Sequence, residues 1–196
     1  MNRAEKALLN NPVRRAVQRH YEVPLLKRLG ADLAGADVVE IGCGEGAGAQ
    51  VLLDRFCAAS VRAFDIDPAQ IDRARRRLRG RDDADVCVGD ATALPVPDAS
   101  ADAVVDFGIV HHVPGWRDAV AEAARILRPG GQLLFEEVTA HALARPSYRL
   151  LFEHPTDDRF TGHQFVDELE RHGLRVGGRH VQKFFGDFVI GVAERV

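Results

Sequence analysis

The stretch Asp37-Val-Val-Glu-Ile41 is short, apolar and rich in β-branched residues, and it runs straight into Gly42-Cys-Gly-Glu-Gly46 and then a helical pattern reaching Phe56. A strand that hands over to a helix through alternating glycines begins a strand, crossover, strand unit, and crossovers of that kind join parallel strands. The cadence repeats, with strands at 61–65, 85–88, 103–107 and 132–137 and helices at 68–78 and 116–127. Alternation of this sort implies a sheet covered by helices on both faces. Ahead of it, Val17, Tyr21, Leu25, Leu26 and Leu29 recur at helical spacing over residues 13–33, with Pro24 expected to kink or divide the helix and Gly30 to stop it. Near the end, Thr161-Gly-His-Gln164 has the form of a capping box for a helix that stops at Gly173. The last two strands, 175–182 and 185–193, are joined around Lys183-Phe184, too short a link for a crossover. The expectation is an α/β fold with a seven-stranded, mostly parallel sheet and one antiparallel strand.

Size and charge narrow the class. A chain of 196 residues is expected to form a single domain, 1–196, and to bury roughly 70% of the surface its unfolded form exposes, so neither disulfides nor a structural metal is required. Lys+Arg at 26 against Asp+Glu at 29 leaves −3, which gives no global field for nucleic acid or anionic membrane. Cys43, Cys57 and Cys87 show neither metal-binding nor disulfide spacing, and with no secretory or membrane-spanning segment expected, the chain reads as cytoplasmic and metal-free.

The glycine loop alone is shared by several kinds of nucleotide binder. Two acidic residues sharpen it. Glu40 at the strand end would repel a pyrophosphate but suits a cationic ligand, which disfavours a nicotinamide dinucleotide. Asp65 ends the next strand 19 residues after Gly46, where an acidic side chain can accept hydrogen bonds from two ribose hydroxyls.

Residues 38–48, Phe64-Asp-Ile-Asp-Pro68, Val88-Gly-Asp-Ala91 with Leu94-Pro95, and Leu127-Arg-Pro-Gly-Gly131 resemble, in order and spacing, the successive motifs of class I S-adenosylmethionine (SAM)-dependent methyltransferases. The resemblance covers about 37–138 and implies the Rossmann-like fold of that family, SAM as cofactor and S-adenosylhomocysteine as product. It would place Gly42, Cys43, Gly44 and Gly46 along the methionine part of SAM and Glu40 near its ammonium. Asp65 would hold the ribose, Ile66 pack on the adenine, Asp90 accept from its amino group, the Ala91 N–H meet a ring nitrogen, and Phe107 lie near the sulfonium. The N-terminal helix of 1–34, with His20 and Tyr21, would cap the cofactor, and 139–160 would cover the acceptor.

Methyl transfer from a sulfonium needs mainly alignment, and a neutral imidazole can take the acceptor proton. His111 and His112, just past the fourth strand, are the candidate bases, alongside a plain loop-pinning role. Glu136, Glu137, Tyr148, His154 and Arg159 are further candidates for an acceptor pocket, one of the two glutamates being expected to face the site. Arg73, Arg75, Arg76, Arg77, Arg79 and Arg81 form a dense basic run, read as a solvated helix face and not a nucleic-acid patch. The acceptor is expected to be a lipid-, quinone- or secondary-metabolite-like small molecule, and the protein a monomer or homodimer. A SAM-binding, non-catalytic subunit of a partner enzyme would carry the same motifs.

Overall fold

A computed structural model describes residues 11–145 and 158–196. The first helix of the described residues, α1, is continuous but not uniform: Pro12–Val17 and Val23–Arg28 are α-helical and flank a π-helical turn, Gln18–Glu22. Pro24 neither ends nor divides it. Proline has no N–H and its ring crowds the carbonyl one α-turn back, and the wider π turn directly ahead of it accommodates both. The change of winding also swings the helix faces. Val17 and Tyr21, expected on the packed face with Leu25, are exposed, whereas Gln18 and Glu22 are buried.

Then follow β1 (Asp37–Ile41), α2 (Ala47–Arg55), β2 (Ser60–Asp65), α3 (Pro68–Arg77), β3 (Ala84–Val88), β4 (Ala101–Phe107), α4 (Trp116–Ile126), β5 (Leu127–Val138), the short α5 (Ala140–Leu143), α6 (Gly162–Arg171), β6 (Leu174–Arg175), β7 (His180–Lys183) and β8 (Phe188–Arg195). Asn11, Asp67 and Thr161 cap α1, α3 and α6 with side-chain oxygens, and the Thr161–Gln164 capping box is formed in full.

Strands lie in the order β3-β2-β1-β4-β5-β8-β6, with β7 also on β8. β1 to β5 are parallel, and β8 is the antiparallel strand. The expected strand at 175–182 is two pieces, β6 and β7, broken around Gly177-Gly178, which makes eight strands among the described residues where seven were expected. The link before β8 is also longer than expected, a tight turn over Phe184–Gly186.

Both faces of the sheet are covered. Along β1, Val38 packs with α1, α2 and α3 while Val39 and Ile41 pack with α4 and α6, as the two-residue period of a strand requires. The second layer centres on Trp116, Phe160 and Phe165, whose ring centroids lie 4.7 and 4.9 Å apart around Phe160. Each such aromatic contributes on the order of 1.5–3 kcal/mol by leaving water. Among the described residues no helix is long and apolar enough to cross a membrane.

Candidate functional site

The carboxyl ends of β1, β2 and β4 open onto two adjoining cavities of about 300 and 450 Å³, which share Gly42, Asp65, Ile66, Ile109 and His112 as walls. The position is the one parallel sheets offer, outside the strand ends where neighbouring crossovers diverge.

Backbone freedom at Gly42 makes the first turn. It has φ +66°, and a Cβ there would overlap the Ile109 side chain. Gly44 follows, its N–H donating to Asp65 Oδ2 at 2.8 Å, while Asp65 Oδ1 accepts from the Asp67 N–H at 2.9 Å. Each oxygen of Asp65 is thus held by backbone and keeps a second lone pair toward the cavity wall it forms. Gly46 is a departure from expectation: it does not line either cavity, and its Cα packs on Ala74 and Leu78 of α3. Gly48 lines the first cavity instead, and a Cβ there would overlap the Glu40 carboxylate.

Glu40 is buried against the first turn of α2, where it accepts from the Ala49 N–H. Its Oε2 has no partner among the described residues. Burial above all, with Asp65 and Asp106 adding, pushes its carboxyl up to about 8 despite that hydrogen bond. Cys43 is a buried wall of the same cavity, and burial holds its thiol far above the ordinary range, so it is no nucleophile. Phe107 lines the first cavity; Asp90 and Ala91 line the second. Asp90 Oδ1 is occupied by the N–H and hydroxyl of Thr92 at 2.9 and 2.8 Å. Ile66 stands 70% exposed between the two cavities, an apolar surface without an internal partner to explain it.

Tyr21 and His20 are exposed and do not line the cavities. The same helix presents Arg14, Arg15 and Gln18 to the first cavity, none of which the sequence reading singled out. Arg14 clasps the helix to the sheet: its guanidinium lies 2.6 Å from Glu22 and 3.4 Å from Glu136 at the end of β5. Burial raises Glu136 well above the usual carboxylate range, Arg14 opposing and Glu22 adding to the rise.

His111 and His112 part company. His112 lines both cavities, whereas His111 is buried with Nδ1 2.6 Å from Glu137 Oε2. Burial pushes His111 down to about 3, so the ring is neutral and directs its Nδ1 proton at the carboxylate. Two carboxylates hold this loop. Asp106 Oδ1 accepts from the N–H groups of Gly108 and Ile109 at 3.0 and 2.9 Å, and Glu137 from those of Val110 and His111 at 2.7 and 3.1 Å. Burial first, then its neighbour's charge, lifts Asp106 well above its usual range, and burial lifts Glu137 to about 7. Asp106 Oδ2 is buried and has no partner among the described residues. Both glutamates at the end of β5 are engaged inside the protein, Glu136 with α1 and Glu137 with the loop after β4.

Tyr148 and His154 lie outside the described residues, and Arg159 donates to the Leu143 carbonyl at 3.3 Å. Much of the basic run is tied locally, Arg73 and Arg77 to Glu45 and Arg81 to Asp54 and Asp83. Among the described residues no group of three or more His, Cys, Asp or Glu is placed to hold a metal.

A family model described as a methyltransferase domain matches residues 39–135. Over 116 residues the chain is 40% identical to a Mycolicibacterium smegmatis protein named as an S-adenosylmethionine-dependent methyltransferase, covering 59% of this chain and 43% of that one. Over 120 residues it is 38% identical to a fatty-acid O-methyltransferase of the same organism, covering 60% and 40%. The matched stretch is thus about two fifths of the relatives' length. Among solved structures, a SAM-dependent methyltransferase from Aquifex aeolicus superposes with a TM-score of 0.77 at 21% identity, covering all of both chains.

Proposed function

We propose that this chain, which belongs to the class I SAM-dependent methyltransferases, holds SAM across the two adjoining cavities and transfers its methyl group to a small, lipid-like acceptor. One observation carries the reading: a buried carboxylate with a vacant oxygen (Glu40), a backbone-pinned carboxylate (Asp65) and an exposed aliphatic side chain (Ile66) face one continuous edge. The residues present fit that cofactor. Glu40 matches a positively charged amino-acid head, and Arg15, which lines the same cavity, matches its carboxylate. Gly42, Gly44 and Gly48 present bare backbone on the wall of the first cavity. The free lone pairs of Asp65 suit a ribose diol, Ile66 suits the adenine face, and Asp90 Oδ2 and the Ala91 N–H suit its edge.

Bound SAM supplies a methyl group already activated on a sulfonium. The chain's own contribution is to exclude water and to align the acceptor in line with that methyl, which converts an encounter in solution into a positioned displacement. His112, on the wall of both cavities, takes the acceptor's proton, and His111 and Glu137 set its loop. A lipid-like acceptor is supported by the similarity to a fatty-acid O-methyltransferase. We assign α1 as the cap and 139–160 as the acceptor cover of a single catalytic domain.

The test is incubation of the protein with methyl-labelled SAM and a pooled metabolite and lipid extract, followed by mass identification of labelled products. A labelled lipid-like product is the expected result. Tight SAM binding in calorimetry with no labelled product would instead support a non-catalytic subunit.

A further inference from the structure

Phe184 and Phe185 form the tip of the turn between β7 and β8, and they are 66% and 95% exposed. Phe184 leans on Phe188, ring centroids 5.9 Å apart, and Phe185 projects beyond it. Both residues sit in left-handed backbone, at φ +52° and +60°. Bulky L-residues rarely adopt that region, and two in succession mean that this turn carries backbone strain in order to hold two phenyl rings in water. Glycine or asparagine would relieve the strain and remove the exposed rings together. A turn doubly unfavourable in isolation points to a medium other than water at its tip.

Its place in the fold says which. β8 begins at Phe188 opposite Val138, the carboxyl end of β5, so the tip projects from the same edge as the two cavities. It joins the second and third strands out from β4, about 10–14 Å away at the usual strand spacing. On α1, Val13 and Val17, 71% and 42% exposed, flank the Arg14, Arg15 and Gln18 side chains that wall the first cavity. The charges beside these apolar groups are mainly basic: Arg19 on α1, Lys183 and Arg145 by the tip. Of the acids nearby, Glu22 and Asp187 are buried and paired with Arg14 and Arg145, and Asp65 and Asp67 on the first cavity's wall accept backbone N–H groups. Exposed aromatic and aliphatic groups within a basic rim are complementary to an anionic lipid surface.

We propose that the Phe184–Phe185 tip is an interfacial anchor that seats the cavity-bearing edge on an anionic lipid surface, where a lipid-like acceptor is presented. The proposal deepens the lipid-acceptor reading and rests on it for its purpose, but not for its measurement.

The experiment is co-sedimentation of the full chain with vesicles of phosphatidylcholine alone or mixed with phosphatidylglycerol, using wild type, the double variant F184N/F185G and K183E. Wild type is expected to partition onto the anionic vesicles. F184N/F185G is expected to lose at least tenfold in partitioning while melting no lower than wild type and binding SAM equally in calorimetry. K183E is expected to weaken binding to the anionic vesicles alone. Absence of wild-type partitioning, or unchanged partitioning of the double variant, overturns the anchor. Equal binding to both vesicle types overturns its anionic preference. A concentration-dependent dimer that F184N/F185G abolishes, without vesicle binding by wild type, assigns the tip to self-association instead. Vesicle binding without methyl transfer to any lipid leaves the anchor standing and removes the acceptor assignment.

Discussion

Asp65 spends one lone pair of each oxygen on the loop itself, through the Gly44 and Asp67 N–H groups, so the geometry of its remaining lone pairs is set before any ligand arrives. Asp65→Ala is expected to weaken SAM binding at least tenfold, about 1.4 kcal/mol, with Asp65→Asn less affected, as calorimetry would read. Glu40 is different in kind, because near neutral pH its carboxyl is largely protonated in the ligand-free protein. A cationic ligand favours the ionised form, so binding releases a proton at any pH below about 8. The ratio of wild-type to Glu40→Gln affinity should therefore rise roughly tenfold per pH unit up to about 8, the ligand's own titration cancelling between the two proteins. At His112, substitution by alanine should lower turnover at saturating substrates by on the order of 100-fold with SAM affinity kept, and the loss should shrink as pH rises. Full turnover in that variant removes it as the base. These residues differ in how far they were legible. The place of Asp65 on the wall of both cavities was readable because the strand end and its spacing from the glycine loop define it. Arg14 was not, since nothing in a helical arginine announces a partner at the far end of β5.

At the scale of the element, α1 shows why periodicity misled. Eight residues of α-helix fall ~80° past two full turns, so Arg14 and Glu22 would point apart in an unbroken helix. The π turn winds less per residue and brings Glu22 back under Arg14. A pattern read at one fixed period cannot register such a slip, and it put Val17 and Tyr21 on the wrong face. β1 to β5 and the helices between them were legible because their periods are constant, and α3 and α6 also carry side-chain caps. Arg14→Met is expected to leave two carboxylates buried without their cation, at a cost of about 3 kcal/mol, the low end for a broken buried pair because Arg14 is 24% exposed. Hydrogen exchange should then show faster exchange across 18–28 than at β1, and equal rates would mean the clasp does not hold the helix.

Across the whole molecule the buried carboxylates set the response to pH. Glu40 and Glu137 titrate near 8 and 7 in the folded chain, and Asp106 and Glu136 are also raised. A raised acid holds its proton in the native state after the unfolded chain has released it, so its stabilisation is full below the unfolded value and is lost as pH climbs through the folded one. Below about 6.5 the buried neutral His111 acts in the opposite sense, because the unfolded chain then takes up a proton that the folded one refuses. The melting temperature of the ligand-free protein should thus fall from pH 6.5 to 8.5, by several degrees. Glu40→Gln should flatten the upper part of that fall. A melting temperature constant over this range would mean that these groups ionise normally. Fold class was legible at this scale because alternation of strand and helix leaves few topologies. The carboxylate network was not, since it joins residues whose partners are set only once β4 and β5 lie side by side.

That joining has a consequence for transplantation. Four successive N–H groups, Gly108 to His111, hang from Asp106 on one strand and Glu137 on the next. The loop is in effect a bridge with a pier on each bank, and a chimera that imports residues 108–115 alone would bring the span without its footings. Exchange of acceptor preference between relatives should therefore succeed only when both strand ends travel with the loop.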